Sequence, residues 1–182
     1  MKKWLAFLLA VATLLAVHEG MHALMAVLYG EYEAFHLRPI GFEVQFRTPV
    51  EERDGIHWAY ISGVSNLVTV LMGYLLLLSG EKIGRLRNVF LKGTFFYLTL
   101  ISLLADPFNL SVGPFIYGGD ANGIAAGLGI NRYVIQTIFL MVLLANRELV
   151  AQKLFPMYDV QLTHILFRPL IRWANRTQGA GQ

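Results

Sequence analysis

Four long apolar blocks constrain this sequence more than any other feature. They cover 4–29, 57–78, 89–105 and 133–150. Each reaches or nears the ~20 residues an α-helix needs to cross about 30 Å of hydrocarbon. The 182 residues are 55% hydrophobic and 15% charged, whereas soluble domains hold about 45–50% apolar and about 25% charged residues. Because the apolar excess is gathered into blocks, it predicts an all-α membrane protein with about four transmembrane helices rather than a larger soluble core. The net charge of +3 does not point to nucleic acid, because the basic residues lie between the blocks, where orienting charges lie. The bilayer is therefore the first expected partner.

Lys2 and Lys3 ahead of an apolar run resemble a secretory signal. The run continues from Met21 to Tyr29 beyond a polar break, however, and no small-x-small site precedes His18, so it is read as a retained span. With four spans and a cytoplasmic N-terminus, the inside holds Lys2, Lys3, Lys82, Arg85, Arg87, Lys92, Arg147, Lys153, Arg168, Arg172 and Arg176. The outside holds Arg38, Arg47, Arg53 and Arg132. That bias predicts that both termini are cytoplasmic.

Between the first two blocks, Phe42, Val44 and Phe46 alternate with Glu43, Gln45 and Arg47, the period of a half-exposed strand. Phe35 and Leu37 are expected to form its partner and Pro39-Ile40-Gly41 the turn, giving a small β-hairpin over about 34–48. After Ala105, Asp106-Pro107-Phe108-Asn109 and the segment up to Asp120, with Gly113, Pro114, Gly118 and Gly119, have loop composition. A short helix over Ala121–Leu128 is expected to start at Asp120 as N-cap, with Gly123 and Gly127 allowing close packing. Residues 1–150 form the expected membrane core and 151–182 a basic amphipathic tail. In that tail Arg168, Arg172 and Arg176 are four apart beside Leu170 and Trp173. Pro169 interrupts it, and Thr177–Gln182 read as disordered.

The chemistry lies in His18-Glu19-Gly20-Met21-His22, an HExxH sequence. Residues i and i+4 share a helix face, so both imidazoles can reach one ion. Glu19 is turned about 100° from His18, beside the metal rather than on it, where it can act as a base on an attacking water. These polar residues interrupt an apolar span, where ionisable groups are costly and usually functional. A zinc site needs a third ligand, and the sequence has no cysteine. Asp120, among glycines at an expected helix start, and Asp106, at the end of the third block, both lie on the side reached by the end of the first span. Asp120 is the better placed and Asp106 is the alternative. His36, His57 and His164 are expected to be non-ligands.

From Leu14 to Leu128 these features resemble the site-2 protease family of intramembrane zinc metalloproteases, which carry HExxH in a membrane helix and an aspartate ligand at a later helix start. The family's Asn-x-x-Pro…Asp-Gly pattern is matched by Asn109, Pro114 and Asp120, with longer spacing and no glycine directly after Asp120. Its Gly-x-x-Asn pattern is matched within Ser62-Gly63-Val64-Ser65-Asn66. The resemblance implies a minimal protease that binds Zn2+ and cuts a transmembrane segment of another protein. Glu19 would be its base, and Asn66 or Asn109 would hold substrate or steady the oxyanion. It also implies that the Phe42–Arg47 strand pairs with substrate. Read from the residues alone, Asn66 serves equally well as an interhelical hydrogen-bonding group. The alternative from another class is a non-proteolytic metal-binding membrane protein or inactive scaffold. The charge bias puts His18 ~21 Å from the cytoplasmic end of its helix, whereas members of the resembled family open toward the cytoplasm.

Overall fold

The computed structural model describes residues 2–38, 41–116, 119–161 and 164–171. The turn residues Pro39 and Ile40, loop residue Gly118 and the tail from Arg172 to Gln182, with Trp173 and Arg176, lie outside the described residues. The chain opens with α1 (Lys2–Leu28), followed by strands β1 (Tyr32–Leu37) and β2 (Phe42–Phe46) and then α2 (His57–Leu78). A short α3 (Gly80–Gly84) leads to α4 (Val89–Ser111), α5 (Asp120–Leu128) and α6 (Arg132–Leu149). The fourth span continues through one π-type turn (Val150–Leu154) into α7 (Phe155–Met157). Four helical stretches, Lys2–Leu28, His57–Leu78, Val89–Ser111 and Arg132–Met157, are long and apolar enough to cross a membrane. By that measure the chain is a multi-pass membrane protein with a two-stranded hairpin between its first two spans.

Burial on α1 follows one stripe at four-residue spacing: Ala6, Ala10, Leu14, His18, His22 and Ala26. The alanines let neighbouring helices approach closely, and the two histidines continue that packed face instead of turning toward lipid. The buried face of α2 interleaves Ser62, Ser65, Asn66, Thr69 and Gly73 with Trp58, Ile61, Val70 and Leu77, while Leu67, Leu71, Leu75 and Leu78 are exposed. Apolar residues outside and small or polar ones among the helix contacts suit lipid as the solvent.

The third span does not end at Ala105, as its loop-like composition suggested. Helix α4 continues through Asp106, Pro107 and Asn109 to Ser111. A proline at 107 leaves the carbonyl of Leu103 without its intrahelical donor. The Asn146 side chain of α6 fills that vacancy, donating to Leu103 O at 2.8 Å, and is itself held by Tyr74 Oη at 2.6 Å. A partner supplied by a neighbouring helix is what permits proline inside a membrane span.

Helix α5 packs along α2. A Cβ at Gly123 would meet the Ser62 side chain, and one at Gly127 would meet the Ala59 backbone, so both glycines set the closeness of that contact. Gly119, at φ +99°, caps α5, which makes Asp120 the first helical residue rather than the cap. In the hairpin, Phe35 pairs with Val44 and Leu37 with Phe42, and an irregularity lies between Tyr32 and Ala34. Val44 is buried on the inner face, while Glu43 and Gln45 point outward.

Candidate metal centre

The last turns of α1, the first half of α2, the end of α4 and the start of α5 meet at one point inside the bundle. His18 and His22 enter from α1 and Asp120 enters from α5. Together these three form a group able to hold a metal ion, with all ligand atoms within 4.8 Å of one another. His18 Nε2 and His22 Nε2 are 3.2 Å apart. Asp120 Oδ2 is 3.4 Å from His18 Nε2, and Oδ1 is 3.4 Å from His22 Nε2. Tetrahedral zinc, with ligand distances near 2.0–2.1 Å, holds its donor atoms ~3.3 Å apart, so the spacing fits.

The surroundings orient both rings. His22 Nδ1 lies 2.7 Å from Ile61 O. A carbonyl there can only accept, so Nδ1 carries the proton and Nε2 presents a lone pair to the centre. His18 Nδ1 lies 3.2 Å from Asp106 Oδ1. That contact has ion-pair distance but not full hydrogen-bond geometry. The Thr69 hydroxyl donates to the other Asp106 oxygen. Two lone pairs and a carboxylate converging this closely repel one another unless a cation or a proton lies among them. Burial alone would raise the Asp120 carboxyl, but the adjacent His22 and His18 outweigh it and hold the group well below the ordinary carboxylate range.

Asp106 therefore stands behind His18 and does not join the three converging side chains, although the sequence left it open as a ligand. Asn66 and Asn109 both donate to Asp120 Oδ2, at 2.9 and 3.2 Å. Asn66 also donates to Ser62 O at 2.9 Å, so its amide hydrogens are committed inside the bundle, as an interhelical hydrogen-bonding group's would be. Asn109 reaches the cavity wall as well.

That cavity, about 620 Å³, is lined by His18, Glu19, His22 and Asp120 on one side and by Phe42, Val44 and Phe46 of β2 on the other. Glu19 is half-buried there and outside the ligand group, and the Val44 backbone N–H faces its carboxylate. The hairpin register explains why. Arg38 N bonds Gly41 O, so alternation along an antiparallel pair puts Phe35 and Val44 at a non-hydrogen-bonded position. The N–H and C=O of Val44 then point away from β1, along the free edge of the hairpin and into the cavity.

Several contributors were not singled out in the sequence. Ser65 Oγ lies 2.9 Å from His22 Nε2, and Thr69 holds Asp106. The only signal for them is a run of small polar residues at three- and four-residue spacing within an apolar span. Arg53 lines the cavity, with its guanidinium 4.9 Å from the Phe46 ring and 4.4 Å from the Trp58 ring. The other histidines lie apart from the group: His36 contacts Gln45, His57 approaches Glu31, and His164 accepts from Leu166 N. Comparison with protein-family models, with curated proteins and with solved structures finds no match to this chain.

Proposed function

We propose that the chain is an intramembrane zinc metalloprotease, similar to the site-2 proteases, that hydrolyses peptide bonds in or near transmembrane segments of other membrane proteins. The observation that carries this reading is the convergence of His18, His22 and Asp120 beside Glu19, in a cavity walled by the free edge of a strand. His18, His22 and Asp120 would hold the ion, and the donor spacing favours zinc. When bound, zinc polarises a carbonyl and lowers the pKa of water toward about 7.

The chain's own groups account for the rest. Glu19 accepts a proton from the attacking water and delivers it to the amide nitrogen as the C–N bond breaks, leaving a carboxylate and an amine. Ile61 O keeps His22 in the tautomer that presents Nε2, and Asp106, at 3.2 Å from His18 Nδ1, favours the same tautomer there. Asn66 and Asn109 hold Asp120 toward them. A transmembrane substrate must unwind to expose a peptide bond, because its own hydrogen bonds shield the backbone. The outward-facing amide and carbonyl of Val44 suit an extended segment laid along β2. The lysine and arginine bias supports cytoplasmic termini, which topology reporters on each end would test.

The decisive experiment compares wild type with Glu19→Gln on a model transmembrane substrate. Cleavage should fall by about 10²–10⁴-fold while zinc stays at one per chain. Unimpaired cleavage by Glu19→Gln would remove the assigned base. Zinc at one per chain without turnover on any substrate would favour a metal-binding scaffold.

A further inference from the structure

At the opposite end of the bundle, where α1 and α4 begin and the fourth span ends, lies a second cavity of about 250 Å³. Lys2, Lys3 and Lys92 line it together with Tyr158 and Phe96. Among the described residues none of the three lysines is ion-paired. Lys92 Nζ lies 5.8 Å from the centre of the Tyr158 ring. Tyr158 is only 8% exposed, and its hydroxyl is buried without a hydrogen-bond partner. A buried, unpartnered hydroxyl in a cavity lined by three lysines without ion-pair partners calls for an acceptor that is also an anion.

A neighbouring groove shows which anion fits. It is lined by Lys3, Trp4, Phe7 and Tyr97, so it shares Lys3 and Tyr97 with the basic cavity. It runs from Lys3 to Phe7, one turn farther along the span, under the edge-on ring contacts of Trp4 with Phe7 and Phe7 with Tyr97. Trp4, Leu5 and Leu8 beside it are exposed. Basic side chains at a span's end followed by an aromatic channel toward the bilayer interior match a phosphate headgroup with its acyl chain attached.

We infer that this end of the bundle binds one anionic phospholipid, with the phosphate among Lys2, Lys3 and Lys92, the Tyr158 hydroxyl donating to a phosphate oxygen, and an acyl chain along Trp4, Phe7 and Tyr97. The inference needs no protease activity, because every residue in it lies outside the metal centre.

The test is native mass spectrometry of the full chain in neutral detergent, titrated with phosphatidylglycerol and with phosphatidylcholine of identical chains. Wild type should retain one phosphatidylglycerol at least about tenfold more tightly than phosphatidylcholine. Lys92→Gln should weaken that preference by about fivefold, and Lys2→Gln/Lys3→Gln/Lys92→Gln should abolish it. Tyr158→Phe, which preserves the packing, should weaken phosphatidylglycerol binding severalfold. Lys82→Gln, on the same end but outside the cavity, should leave it unchanged. Equal retention of the two lipids by wild type would overturn the inference. So would a full preference in the triple variant, or an equal loss in Lys82→Gln, which would reveal diffuse surface charge. Glycerol 3-phosphate should fail to displace the lipid at equal concentration. If it displaces the lipid fully, the site takes a soluble phosphate and the acyl groove plays no part.

Discussion

The two ends of this bundle treat buried polarity in opposite ways. At the candidate metal centre, Ile61 O bonds His22 and Asn66 with Asn109 bond Asp120, while Asp106 stands at ion-pair distance behind His18. At the lysine end, Lys2, Lys3 and Lys92 line a cavity with Tyr158, whose hydroxyl has no hydrogen-bond partner among the described residues. The first is a network drawn from four helices around a group able to hold a metal ion. The second draws no such partner for the Tyr158 hydroxyl from the described residues. Polar groups within an apolar chain thus serve two purposes, and the distinguishing sign is whether the protein supplies the second layer of contacts.

The contrast is most easily broken at the ligands. His22→Ala should remove bound zinc and all cleavage, read by metal analysis of the purified protein, with the lysine-end lipid preference unchanged. Asp120→Asn and Asp106→Asn separate a ligand from an orienting group. The former should abolish stoichiometric zinc. The latter should retain zinc but weaken its affinity by about 10–100-fold in a chelator competition. If the two variants exchange these outcomes, Asp106 is the ligand. Acidification sharpens the same contrast, because protons compete with metal for imidazole and carboxylate. Zinc content should fall between about pH 8 and about pH 5. Between the two ends, Asn146→Leu would leave the Leu103 carbonyl unpaired at Pro107 and should destabilise the fold by about 1–2 kcal/mol, seen as a lower Tm. The smallest effect should come from Lys92→Gln on the metal centre, with zinc content indistinguishable from wild type.

The second span, His57–Leu78, coincides with its apolar block because nothing polar obscures its limits. The strand from Phe42 was equally legible, since strict alternation has one structural meaning in a short segment. The third span runs past the end of its apolar block at Ala105 for a definite reason. Asp106-Pro107 carries the local signal of a helix end, but Asn146 on another helix supplies what proline removes. For Asn66, two uses were open in sequence, and the structure adds which groups its amide bonds: Ser62 O and Asp120.

By itself the sequence determined what depends on neighbouring residues: four stretches long enough to span, a two-residue period for the hairpin, and two imidazoles one helical turn apart with a carboxylate beside them. Only the tertiary structure decided which aspartate meets those imidazoles and which stands behind them. Both are acidic residues near a helix end, and local pattern treats them alike. Their separation comes from how α4 and α5 pack on α2, where Gly123 and Gly127 bring α5 close enough for Asp120 to reach the histidines. Packing of that kind joins residues far apart in the chain, at distances over which sequence periodicity carries no information.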